Sequence, residues 1–214
     1  MIRIAPSIAS GPQSHLADTI LQLEEAGADF IHFDIEDGHF VPEMNIGIKM
    51  IKELRKLTDL PFDVHLMVSN PEWLIPRVID FGADWISVHY EACPYPRRTL
   101  GLIQKNGVKA GLALNPKTPL PDITFFKDLL SYILILTTDP EVDDCVYLPS
   151  VLDKVKVGKA LPAFEEIQWE VDGGFTVDNI HDALEAGADI VVSGRGVFRD
   201  GEISNNIQNM KERQ

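Results

Sequence analysis

The chain has 214 residues, of which 45% are hydrophobic and 24% charged, and this composition suits one soluble globular domain spanning residues 1–214. Its 33 acidic and 19 basic residues give a formal net charge of −14, which argues against nucleic acid or an anionic membrane as the main partner. Cys93 and Cys145 are too few for a disulfide framework. The first residues do not resemble a signal peptide, and no apolar run reaches the roughly 18 residues that span a bilayer, so a cytoplasmic protein is expected.

Short apolar runs recur along the chain, and most of them precede a helical pattern. Strands are predicted at 3–8, 30–35, 62–68, 85–89, 108–114, 132–136, 168–171 and 190–192. Eight strands that alternate with helices predict an α/β fold of the closed (β/α)8 type, a TIM barrel. The rival is an open doubly wound sheet, which usually has a glycine-rich turn after its first strand, whereas this chain has Ala5-Pro6-Ser7 there.

Three of the predicted strands are preceded by the same junction. Gly27, Gly82 and Gly187 each stand at the end of an amphipathic helical pattern and are followed by Ala-Asp and then the strand. Glycine in this position is typical of a left-handed helix C-cap. A repeated helix-to-strand junction is what a repeated βα unit would produce.

Four polar residues are predicted to meet where the strands end, which is where the active sites of such barrels lie. His32 and Asp34 share one face of the second strand because side chains alternate with a period of two. His65 lies in the third strand, and Asp172 follows the seventh. Two imidazoles and two carboxylates on one rim are suitable ligands for a divalent transition metal.

Each of these residues also has a simpler interpretation. A lone histidine in a strand is more often packed and hydrogen-bonded than a metal ligand, and an aspartate at a strand end is commonly a helix N-cap. Asp37, His39, Asp63 and His89 are therefore given no role here. On the residue pattern alone, the metal site remains one of two interpretations.

Several long motifs resemble the ribulose-phosphate 3-epimerase family. They are IAPSI at 4–8, HFDIEDGHFVP at 32–42, DVHLMV at 63–68, VHYEA at 88–92, ALNP at 113–116 and EVDGG at 170–174. The resemblance runs from residue 2 to about residue 198. It implies one divalent metal ion (Zn, Mn, Fe or Co) held by His32, Asp34, His65 and Asp172.

The resemblance also implies the reaction, which is 3-epimerisation of a ketose phosphate, by default D-ribulose 5-phosphate to D-xylulose 5-phosphate. Asp34 and Asp172 would be the acid/base pair on opposite faces of the substrate, working through an enediolate that the metal stabilises. The expected partner is a small sugar phosphate, and barrel epimerases of this type are commonly homo-oligomers. The expected substrate contacts are Ser7, His65, Gly173, Gly174, Gly194 and Arg195.

The chain departs from the family pattern near the substrate phosphate. Where the family usually has a Pro-Gly-Phe-Gly-Gly-Gln loop, residues 140–145 read Pro-Glu-Val-Asp-Asp-Cys, which places three carboxylates near a dianion. Arg195 replaces part of a phosphate-binding Gly-Ser pair; it either binds phosphate or pairs with the acidic loop. Glu36 and Leu136 stand where the family has methionines, and Glu36 is expected to make the pocket more polar.

Three hypotheses remain open. The first is a pentulose-phosphate 3-epimerase with ribulose 5-phosphate as the substrate. The second is a metal-dependent epimerase of a different ketose or ketose phosphate, with the altered loop and Arg195 resetting specificity. The third is a catalytically weak homologue that binds metal or sugar, which retention of all four predicted ligands disfavours.

Overall fold

The computed structural model describes residues 2–140 and 146–213, in which eight strands alternate with helices. The strands are β1 (Arg3–Pro6), β2 (Ile31–Glu36), β3 (Phe62–Met67), β4 (Trp85–His89), β5 (Lys109–Leu114), β6 (Tyr132–Leu136), β7 (Gln168–Asp172) and β8 (Ile190–Ser193). The α-helices are α1 (Leu16–Glu25), α2 (Lys49–Leu54), α3 (Ile75–Asp80), α4 (Pro96–Gln104), α5 (Asp153–Lys159), α6 (Ile180–Ala186), α7 (Arg195–Phe198) and α8 (Ile203–Glu212). All eight predicted strands are present, with ends that differ by at most two residues.

The strands form one parallel sheet in the order β1-β8-β7-β6-β5-β4-β3-β2. A parallel bridge between Ser7 and His32 brings β1 back to β2, so the sheet curls into a barrel. Strands that follow one another in sequence are neighbours all the way round, which is the (β/α)8 arrangement. The predicted barrel is confirmed, and the open doubly wound alternative is wrong.

The strands are buried on both faces, which explains their nearly continuous apolar sequences. Every residue of β2 and β3 is buried. Residues such as Phe33 and Val64 belong to the large apolar cluster that the helices cover, while Leu134 and Leu136 belong to a separate cluster. Within the described part of the chain, no helix is long and apolar enough to cross a bilayer.

The predicted glycine caps are confirmed. Gly27, Gly82 and Gly187 have φ of 79°, 100° and 86°, in the left-handed region that side chains avoid. The aspartate two residues after each glycine accepts a hydrogen bond from the backbone N–H of a neighbouring strand. These bonds run to Asp29 from Ile4, to Asp84 from Phe62 and to Asp189 from Trp169, each at 2.8 Å. The repeated junction therefore ties the start of one strand to the next.

Candidate metal centre and active site

The barrel brings all four predicted metal ligands together. His32 and Asp34 project from β2, His65 from β3 and Asp172 from the end of β7. Asp34 and His65 are direct partners in the parallel register. One nitrogen or oxygen atom from each of the four lies within 4.8 Å of the others.

The distances between these atoms suit a single metal ion. Oδ1 of Asp34 lies 3.2 Å from Nε2 of His32 and 3.2 Å from Nδ1 of His65. Oδ2 of Asp172 lies 3.9 and 3.7 Å from the same two nitrogens. Ligand atoms around a tetrahedral ion with bonds of about 2.0–2.2 Å are about 3.4 Å apart. The four residues therefore fit a divalent transition metal in both spacing and donor type.

The electrostatics of the site favour a positive charge among the four ligand atoms. Burial disfavours the charged form of His32, but the carboxylates of Asp34 and Asp63 outweigh burial and raise the pKa of His32 well above its ordinary value. Burial likewise disfavours the Asp34 carboxylate, yet His32 and His65 lower the pKa of Asp34 far below its ordinary value. Asp34 is therefore held as a carboxylate despite its burial.

A hydrogen-bonded chain fixes the far side of the His32 ring. Nδ1 of His32 donates to Oδ2 of Asp63 at 2.6 Å, and the Tyr132 hydroxyl donates to Oδ1 of Asp63 at 3.0 Å. This leaves Nε2 directed at the quartet, as expected for a histidine whose other nitrogen is held by a carboxylate. Glu170 lies beside the same chain, where burial and then the charge of Asp63 raise its pKa well above its ordinary value. His32, Asp63 and Glu170 form a second, deeper cluster that shares His32 with the first.

The residues left without a role in the sequence prove to have partners. His89 lies 2.8 Å from His65, with both Nε2 atoms in contact. Asp37 closes a loop by accepting the backbone N–H groups of His39 and Phe40, and it also accepts that of Ser69. Asp63 is the register partner of His32, a pairing that only the structure shows.

Above the quartet lies a cavity of about 440 Å³. Five of the six expected substrate-contacting residues line it, namely Ser7, Gly173, Gly174, Gly194 and Arg195. The sixth, His65, is fully buried. The hydroxyl of Ser7 donates to Oδ2 of Asp34 at 2.6 Å, so its oxygen lone pairs are the part left to meet a substrate hydroxyl.

The glycines after β7 allow the backbone to line the cavity. Gly173 and Gly174 have φ of 112° and 77°, which side chains rarely adopt. A Cβ on Gly173 would lie 2.5 Å from Oγ1 of Thr138, and one on Gly174 would lie 2.9 Å from Cβ of Tyr147. Only glycine satisfies both the backbone conformation and the packing at these positions.

Three departures from the family pattern can be placed. The buried carboxylate of Glu36 accepts the backbone N–H of Asn45 at 2.9 Å and its side-chain N–H at 3.2 Å. Asn45 and Leu136 line the cavity, and Glu36 lies behind Asn45. Arg195 is exposed at the start of α7 and also lines the cavity. The acidic segment 141–145 lies outside the described residues.

A parallel barrel with paired carboxylates and imidazoles at the carboxyl ends of its strands is the architecture of an enzyme that can bind a metal and move protons. The chain belongs to the ribulose-phosphate 3 epimerase family, a family of isomerases, whose model matches residues 3–198. This confirms the family suggested by the sequence motifs.

Individual relatives agree with this assignment. The chain is 42% identical over 201 residues to a ribulose-phosphate 3-epimerase of Bacillus subtilis strain 168, covering 92% of this chain and 93% of that protein. It is 38% identical over 211 residues to the ribulose-phosphate 3-epimerase of Escherichia coli K12, covering 97% and 94%.

Solved structures support the fold alone. A mutant tryptophan synthase α-subunit of Pyrococcus furiosus has a TM-score of 0.71 at 13% identity, covering 99% of this chain and 100% of that one. A thiamine phosphate pyrophosphorylase of the same organism has a TM-score of 0.68 at 17% identity, covering 99% and 95%. Both are barrels of similar extent.

Proposed function

We propose that this protein is a metal-dependent epimerase that interconverts D-ribulose 5-phosphate and D-xylulose 5-phosphate. The observation that carries the proposal is the convergence of Asp34 and Asp172 on the same two imidazole nitrogens, at 3.2 to 3.9 Å. The shared name of the relatives supports this substrate over another ketose. His32, Asp34, His65 and Asp172 are the proposed ligands, and Zn, Mn, Fe or Co all suit their nitrogen and oxygen donors.

The chemistry explains why two carboxylates are needed. Inverting a carbon next to a carbonyl group requires removal of its proton from one face and return of a proton to the other, through an enediolate. Asp34 and Asp172 come from strands that are not neighbours, which suits them to act on opposite faces of the substrate. When bound, the divalent ion would stabilise the negative charge that develops on the substrate oxygens.

Asp34 is held in the ionised form that can accept a proton. Its lowered pKa keeps it ionised, and the Ser7 hydroxyl holds one of its oxygens in place at 2.6 Å. Ser7 is proposed to contact a substrate hydroxyl as well. The phosphate end of the substrate is proposed to lie against Gly173, Gly174 and Gly194, with Arg195 as its charged partner.

Two finer expectations belong to the same proposal. The protein is proposed to act in the cytoplasm on a small sugar phosphate, and to associate as a homo-oligomer. Light scattering coupled to size-exclusion chromatography tests the second point, since a single species at the 214-residue monomer mass would contradict it.

The test of function combines metal analysis with proton exchange. Purified protein is expected to hold about one divalent transition metal per chain, and His65→Ala is expected to lose it. In deuterated water, the metal-loaded protein should exchange the C3 proton of ribulose 5-phosphate and form xylulose 5-phosphate. Exchange with a different ketose phosphate only would reassign the substrate, and no exchange with any ketose would overturn the enzymatic proposal.

A further inference from the structure

A line of hydrogen bonds runs from His65 to the edge of the barrel. Nε2 of His65 lies 2.8 Å from Nε2 of His89, and Nδ1 of His89 lies 3.1 Å from Oε2 of Glu91. Both histidine side chains are fully buried, whereas the Glu91 side chain is 21% exposed. The other Glu91 oxygen, Oε1, accepts the backbone N–H of Asn115 at 2.9 Å and the hydroxyl of Thr118.

The order of donors and acceptors in this line follows from the metal site. Nδ1 of His65 faces Asp34 and Asp172 at 3.2 and 3.7 Å, so it must be unprotonated to bind a metal. The single proton of the neutral His65 ring then lies on Nε2 and is donated to Nε2 of His89. His89 must accept there, so its own proton lies on Nδ1 and is donated to Glu91.

The charges along the line agree with this order. His89 is fully buried, which disfavours a charged ring, and each of its two nitrogens has one partner, so the ring is neutral with one N–H group. Burial opposes ionisation of Glu91, but hydrogen bonds from His89 and Thr118 lower its pKa to about 2. Glu91 is therefore a carboxylate, which can accept hydrogen bonds but cannot donate them.

We propose that Glu91 and His89 are positioning residues that fix the tautomer of His65, so that its Nδ1 lone pair faces the metal site. This inference rests on the proposed metal site and names two residues that act on it only through His65. Groups of this kind, which orient a ligand from behind, typically change metal affinity by about 10- to 100-fold when mutated.

Glu91→Gln is a nearly isosteric test of this line. The backbone N–H of Asn115 can only donate, so the amide oxygen stays beside it and the amide NH2 group turns toward His89. Nδ1 of His89 must then accept, which moves the His89 proton to Nε2. That proton is donated to Nε2 of His65, and the His65 proton is left on Nδ1, where it blocks the metal.

Zinc affinity, measured by competition with a chelator, is expected to fall at least about tenfold in Glu91→Gln. Glu91→Asp, which restores an acceptor-only group, should recover part of this loss. The matched control is Glu72→Gln. Glu72 is also a partly exposed carboxylate, and its Oε1 accepts the hydroxyl of Thr99 at 2.9 Å. It does not contact the histidine line, and the zinc affinity of Glu72→Gln should stay within about twofold of wild type.

Nitrogen-15 NMR of labelled histidines reports the tautomers directly. In the zinc-loaded wild type, His89 should carry its proton on Nδ1, and in Glu91→Gln it should carry it on Nε2. Equal zinc affinity of wild type and Glu91→Gln would overturn the inference. A wild-type His89 protonated on Nε2 would also overturn it, and this measurement does not require the variant to fold. A wild type that binds no divalent metal would instead overturn the proposed function.

Discussion

Asp34 and Asp172 face the same pair of imidazole nitrogens from two separate strands, Asp34 at 3.2 Å from both and Asp172 at 3.9 and 3.7 Å. This shared contact makes the two carboxylates a unit, because a cation held by one is also held by the other. Apart from this contact, the two carboxylates have different surroundings. Asp34 accepts the Ser7 hydroxyl and its side chain is 9% exposed, whereas the Asp172 side chain is 15% exposed, and both carboxylates line the cavity.

Both carboxylates of this pair are expected to be needed for turnover. Replacing either by asparagine, Asp34→Asn or Asp172→Asn, removes a proton-transfer group, and kcat is expected to fall by about 10²- to 10⁴-fold. Turnover of ribulose 5-phosphate should be measured with zinc in excess and metal content determined in parallel, so that lost chemistry is separated from lost metal. A metal-loaded variant that keeps more than about a tenth of wild-type kcat would contradict the assignment of that carboxylate.

Arg195 is expected to contribute to binding rather than to chemistry. If it contacts the substrate phosphate, Arg195→Ala should raise KM for the phosphorylated substrate about tenfold or more, because a charge-assisted hydrogen bond contributes about 1.5–3 kcal/mol. The value of kcat should change little. Arg199→Ala is the control, since Arg199 is an exposed arginine nearby that pairs with Asp178 and Asp200 at 3.5 and 3.6 Å. An unchanged KM would exclude Arg195 from phosphate binding.

Gly111 is expected to be a packing position of the barrel interior. It pairs with Tyr132 in the register of β5 and β6, and a Cβ on Gly111 would lie 2.3 Å from Cζ of the Tyr132 ring. Gly111→Ala should therefore destabilise the fold by about 1–3 kcal/mol, which lowers Tm by about 2–12 °C for a chain of this length. Gly47→Ala is the control, because a Cβ there meets no atom within 4 Å. Equal Tm values for the two variants in thermal unfolding would refute the prediction.

Asp37 should make a pH-dependent contribution to stability. Partial burial opposes its ionisation, but the backbone N–H groups of Ser69, Phe40 and His39 lower its pKa to about 2. Because the folded-state pKa is depressed, the stabilisation is complete above the ordinary pKa of about 4 and is lost as the pH falls toward 2.

Asp37→Asn should therefore lower the free energy of unfolding at pH 7 by about 1 kcal/mol, a value already reduced for the partly exposed setting of the carboxylate. The difference in free energy of unfolding between Asp37→Asn and wild type should narrow between pH 4 and pH 2 in urea titrations. Exposed Asp59 provides the control, since Asp59→Asn is expected to stay within about 0.5 kcal/mol of wild type. A gap for Asp37→Asn that does not depend on pH would show that the lost stability does not come from the charge.

Most of the fold could be predicted because parallel strands buried on both faces have continuous apolar sequences. The exact ends of the strands are not given by this apolar pattern. The first strand was expected to extend to residue 8 but ends at Pro6, and Ile8 begins a 3₁₀ turn. The seventh was expected to end before Asp172, but it includes this residue. Polar residues at strand ends carry no apolar signal, although they are the residues that form the site.

The ligand quartet could be found from the sequence, whereas the groups behind it could not. A period of two places His32 and Asp34 on one face of a strand, so this pair can be recognised from a short stretch of sequence. Tyr132 and Asp63 are separated by 69 residues, and they meet only because the barrel curls β6 toward β3. The contact of His65 with His89 likewise depends on the register of β3 and β4.

The sequence by itself determined the number of strands, the glycine caps, the family and the four residues that face one rim. The tertiary structure alone decided how these residues are arranged as donors and acceptors. It directs Nε2 of His32 but Nδ1 of His65 toward the Asp34 carboxylate. It also places Asp63 behind the His32 ring and His89 behind the His65 ring. The physical reason is that strand periodicity sets only the face on which a side chain lies, while the orientation of an imidazole ring is set by partners that come from other strands.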